Sequence, residues 1–77
     1  MENPMKRLRS KTGLSRPKFA LKTGLSARTV ENVETGCVQK VSAETALLMQ
    51  EYCGEAYRVL QAEYLEWKNE QLQKEIK

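Results

Sequence analysis

Apolar residues recur along the chain in short groups at helical spacing, and a glycine closes each of the first four. Met5 and Leu8, three apart, mark one face of a helix over residues 5–11 that Thr12-Gly13 ends. Glycine just past a helix takes the left-handed conformation at low cost. Phe19 and Ala20 mark a second helix over 16–23, closed by Gly24. Ser15 stands at its N-cap, where a hydroxyl can accept from the first-turn amides. Pro17 falls in that first turn, where its missing N–H costs little. Leu25 reads as a buried link, and Ser26 as the cap of a third helix over 27–34. Val30 and Val33 face inward on it, while Ala27, Arg28, Glu31 and Asn32 lie mainly outward. Gly36 ends it.

The stretch "CVQKV" is an irregular connection. Ser42 caps a fourth helix over 43–52, with Ala46, Leu47, Met49 and Cys53 as its apolar set and Gly54 as its stop. No two-residue alternation occurs anywhere, so the chain reads all-α. Residues 55–77 carry no Gly or Pro and predict one helix of ~34 Å. Its apolar positions form two stripes. Ala56, Tyr57, Leu60, Tyr64 and Trp67 suit packing on the preceding helices. Leu65, Leu72 and Ile76 point elsewhere and suit a partner helix, unless the tail is frayed and solvated. The chain thus divides into a helical domain, 1–54, and a C-terminal amphipathic helix, 55–77, that serves dimerisation.

Charge sharpens this division. Residues 1–30 hold eight basic side chains against Glu2 alone, a balance of +7. Residues 31–77 hold five against nine glutamates, −4, which together give the formal +3. A basic half beside an acidic half points to an anionic partner such as nucleic acid, or to an incidental bias of solvated surfaces. With 77 residues the core is small, and oligomerisation is one common remedy.

Chemistry is sparse. The chain has no histidine and two cysteines, Cys37 and Cys53, so a metal site and a disulfide framework are not expected. Neither cysteine has an evident activating base. No paired acids flank a cleft, and no Gly-rich phosphate loop occurs. Neither an enzyme nor a cofactor is expected. The N-terminus lacks an apolar run, and no stretch approaches ~20 apolar residues. A cytoplasmic location away from the membrane is expected.

Two short helices joined by a glycine turn are the layout of a DNA-binding helix-turn-helix. The stretch "LRSKTGLSRPKFALKTGLSARTVENVETG" resembles the Cro/repressor-type (XRE-like) helix-turn-helix family. Leu8-Arg9, Gly13-Leu14-Ser15, Phe19-Ala20, Gly24-Leu25-Ser26, Val30, Val33 and Glu34-Thr35-Gly36 carry the resemblance, and "VSAETALLMQEYCG" resembles that family's fourth helix. The likeness covers about residues 5–54. It implies a four-helix, lambda-repressor-like domain whose third helix enters the major groove of double-stranded DNA as part of a homodimer. The base-facing positions it implies are Ala27, Arg28 and Asn32, with Thr29 and Glu31 as neighbours. Arg can pair with guanine and Asn with adenine, and alanine can touch a thymine methyl. Arg16 matches a phosphate-contacting position, and Ser26, Thr35 and Lys40 are further candidates. Lys18 adds chiefly to the field. Arg9 and Glu34 match a structural ion pair. Two departures stand out: "CVQKV" lacks the polar, proline-containing connection usual in the family, and Thr23 replaces a more apolar residue, which weakens packing. The resemblance implies a small transcriptional regulator, a repressor of phage type, an accessory regulator or an antitoxin. A second reading keeps the fold as a protein-interaction module that works through the long helix.

Overall fold

The first helix starts earlier than its apolar spacing indicates, and Asn3 is the reason. Its Oδ1 accepts from Lys6 N at 3.1 Å, so Asn3 is the N-cap of α1 (Pro4–Thr12). Pro4 takes the first helical position, where a missing N–H leaves nothing unpaired. The computed structural model describes residues 1–76, with side chains through Lys74. It continues with α2 (Arg16–Thr23), α3 (Ala27–Thr35), α4 (Ala43–Cys53) and α5 (Tyr57–Ile76). No strand occurs among the described residues.

Side chains from all five helices meet in one core. Met5 and Leu8 come from α1, Phe19 and Ala20 from α2, Val30 and Val33 from α3. Ala46 and Met49 come from α4, Leu60 and Tyr64 from α5, and Val41 from the connection before α4. Full burial of a large apolar side chain stabilises by about 1.5–3 kcal/mol, so Phe19, Val30 and Met49 are major contributors. The Phe19 ring meets Tyr52 edge-to-face at 6.0 Å between centroids, a geometry aromatic pairs favour.

Four details depart from the apolar pattern. Leu47 is 43% exposed, and Thr45 takes the inward position of that turn beside Ala46 and Met49. The run Ala46-Leu47-Leu48-Met49 is apolar on every side, so it fixes no helical phase. Ser15 has N-cap backbone geometry, yet its side chain makes no capping bond. Pro17 removes one of the two amides such a hydroxyl normally accepts from. Thr23 does not sit in the core as an unpaired polar group. Its hydroxyl donates to Phe19 O at 2.9 Å, which offsets the desolvation that weakens packing at a polar site. Last, α5 begins at Tyr57, whose N–H donates to Gln50 Oε1 at 2.9 Å, and Ala56 stays exposed, outside the buried stripe.

Leu60 and Tyr64 of that stripe are buried, and Tyr57 and Trp67 are partly so. Leu65 and Leu72 on the other stripe are 52% and 48% exposed. Ile76 lies outside the described side chains. Among the described residues, no helix is long and apolar enough to cross a membrane, and no cluster of metal-ligating side chains forms.

Candidate nucleic-acid interface

The outward face of α3 starts at its own cap. Ser26 Oγ accepts from Thr29 N at 3.0 Å and shares a 2.8 Å hydrogen bond with Thr29 Oγ1. That contact closes the first turn with local atoms only. Ala27 and Arg28 follow, both exposed, and Glu31 is exposed one turn on. Among the described residues Arg28 joins no ion pair. Thr29 and Asn32 are half-buried and line a cleft of about 240 Å³ between α3 and the start of α4. Lys40, Ser42 and Thr45 line the same cleft. Two of the base-facing candidates, Thr29 and Asn32, therefore share one concavity with a phosphate candidate, Lys40.

Other candidates have internal partners. Arg16 Nε lies 3.5 Å from Glu34 Oε1, and its Nη1 lies 4.0 Å from Glu31 Oε1. Its side chain is 39% exposed. Thr35 is exposed, but its hydroxyl donates to Glu31 O at 2.9 Å within the helix. Ser26 is occupied as the cap. Lys18 is exposed on α2, outside the cleft.

Arg9 and Glu34 form a two-pronged ion pair, Nε to Oε2 at 2.8 Å and Nη2 to Oε1 at 3.0 Å. The Glu34 side chain is 1% exposed. The hydrogen bonds to Glu34 hold the Arg9 guanidinium above its ordinary pKa, and Arg9 Nη1 also donates to Leu14 O at 3.0 Å. Arg7 is likewise raised by its hydrogen bond to Glu55, and it lies 3.1 Å from Glu63. The charge asymmetry is therefore partly cancelled in space. Arg7, Arg9 and Arg16 are paired with glutamates of the acidic half. Lys6, Lys11, Lys18, Lys22 and Arg28 are exposed and join no ion pair among the described residues.

Sequence reasoning missed what holds the far end of α3. The last carbonyls of a helix have no partner within it. Here Asn3 Nδ2 donates to Val33 O at 2.9 Å and Glu34 O at 3.3 Å, and Cys37 N donates to Asn32 O at 2.9 Å. Helix α5 supplies the rest. Lys68 Nζ donates to Gly36 O, Tyr64 OH to Val38 O at 2.6 Å, and Gln61 Nε2 to Val41 O at 2.9 Å. Burial pushes the Tyr64 phenol above its ordinary pKa. The Trp67 ring lies so close to Gly36 that a Cβ there would stand 3.0 Å from it. The dipeptide Asn3-Pro4 is a legible helix-start signal, whereas nothing in the spacing of Gln61, Tyr64 and Lys68 marks their acceptors. No protein-family model, curated protein or solved structure matches the chain.

Proposed function

We propose that this chain is a sequence-specific double-stranded DNA-binding regulator, most simply a repressor, that acts as a homodimer with α3 in the major groove. On this reading α2 and α3, joined through Gly24, are a helix-turn-helix of the Cro/repressor type. The observation that carries it is the exposed, ion-pair-free Arg28 beside Ala27 at the start of α3. Arg28 reads a guanine edge, Asn32 an adenine edge, and Ala27 a thymine methyl, with Thr29 and Glu31 beside them. Arg16, Ser26, Thr35 and Lys40 meet phosphates, and Lys18 strengthens the field. Exposed Lys6, Lys11 and Lys22 add to the attraction. Leu65, Leu72 and Ile76 join two copies, which sets two copies of α3 about 34 Å apart on one face of the duplex.

Selection of bound sequences from a random duplex pool, followed by Arg28→Ala, tests this. The variant should lose about 1–3 kcal/mol on the selected site and relax specificity at one base pair. An unchanged ratio of selected to random binding removes Arg28 as a reader. The half exposure of Leu65 and Leu72 favours one competing reading, a protein-interaction module using α5. A duplex affinity with a salt slope near zero supports that module instead.

A further inference from the structure

Helix α3 has no basic side chain in its last turn. A cation there is stabilising, because the helix dipole leaves partial negative charge on its terminal carbonyls. Helix α5 provides that cation from a distance in sequence: Lys68 Nζ donates to Gly36 O, the residue that ends α3. One turn earlier Tyr64 holds Val38 O, and a further turn back Gln61 holds Val41 O. Three side chains on one face of α5 thus fasten three carbonyls, those of Gly36, Val38 and Val41, along the connection between α3 and α4. Trp67 covers Gly36 alongside them. The fastened segment carries Lys40 and forms one wall of the cleft that holds Thr29 and Asn32.

We propose that Tyr64 and Lys68 are positioning residues for the nucleic-acid interface: α5 sets duplex affinity within each single chain, by fixing the 36–41 connection against the end of α3. This rests on the reading of α3 as the DNA-facing helix. Neither residue needs to touch DNA, and the effect is separate from joining two copies through Leu65 and Leu72.

The test uses the full chain, a short duplex of random sequence, and three variants. Tyr64→Phe keeps the buried ring and the charge and removes only the hydroxyl that holds Val38 O. Lys68→Met removes the cation at Gly36. Lys74→Met removes an exposed charge on the same helix as a control. Circular dichroism establishes that each is folded at the temperature of the titration. A loss of up to roughly 10-fold in affinity is expected, the most that one such hydrogen bond contributes to a folding equilibrium. Tyr64→Phe should show that loss with an unchanged salt slope, since no phosphate contact disappears. Lys68→Met should lose clearly more affinity than Lys74→Met. Amide exchange over residues 37–41 should quicken in Tyr64→Phe and Lys68→Met and not in Lys74→Met. Wild-type affinity in Tyr64→Phe, or equal losses in the two lysine variants, overturns the inference while leaving the DNA reading intact. A wild-type chain that fails to bind any duplex overturns that reading and the inference with it.

Discussion

The two ends of α3 are built on opposite plans. Its N-terminal turn is closed by local atoms: Ser26 caps Thr29, and Ala27 and Arg28 project with no tertiary bond among the described residues. Its C-terminal turn is gripped by distant chain. Asn3 and Arg9 of the N-terminal segment and Lys68 and Trp67 of α5 all converge on residues 33–36. One end is an anchor and the other is on offer. A side chain already spending its hydrogen bonds on the fold is a poor reader of another molecule. The free end is therefore the one whose composition can change without loss of the fold.

Breaking the anchored end should cost most. Glu34→Ala leaves Arg9 facing a buried gap. Removing one partner of a buried pair costs about 3–5 kcal/mol, and the partial exposure of Arg9 places this one near the low end, about 3 kcal/mol. Urea unfolding checks it, and a loss below that of an ordinary surface substitution removes the anchor role. Gly36→Ala comes next. A φ of 79° strains any L side chain, and the added Cβ would meet Trp67 at 3.0 Å. Gly13→Ala, at φ 72° with nothing within 4 Å, carries only the backbone cost. The expected losses are about 2–3 and about 1 kcal/mol respectively. Thermal melts showing equal losses would mean that Trp67 yields freely.

The capping serines give the smallest and sharpest contrast. Ser26→Ala should cost about 1 kcal/mol, because a real cap is lost. Ser15→Ala should be nearly silent, because its hydroxyl caps nothing. Chemical denaturation of the two variants side by side decides this. Equal losses would show that Ser15 also caps its helix in solution. At the free end, Arg28→Ala should leave the melting temperature where it was, since the side chain is exposed and outside every ion pair among the described residues.

The phases of α1, α2 and α3 were legible because glycine and serine punctuate them and few apolar residues compete for the inner face. Val30 and Val33 leave α3 only one way to turn. The α4 run Ala46-Leu47-Leu48-Met49 carries no such information, so its apolar pattern does not show that Leu47 faces out. The pairing of Arg9 with Glu34 came from the family resemblance. No periodicity links residues 25 apart, and the structure brings the two into a two-pronged contact. The grip on residues 33–41 was illegible for a different reason. Its acceptors are backbone carbonyls, and every residue has one. A sequence can advertise a donor such as Tyr64 or Lys68, but it cannot say which carbonyl will receive it. The same limit hid the engagement of Arg16 with Glu34, since a positive residue at a helix start reads alike whether it faces a phosphate or a neighbouring carboxylate.

Trp67 is the chain's single tryptophan, and it rests on Gly36 with Tyr64 5.7 Å away. The molecule therefore carries its own optical probe at the root of α3, with no second indole to blur the signal. A shift in emission maximum or anisotropy on adding a duplex would report movement at the anchored end. Silence there, with binding seen by another method, would mean that the surroundings of Trp67 at the anchored end are unchanged on binding.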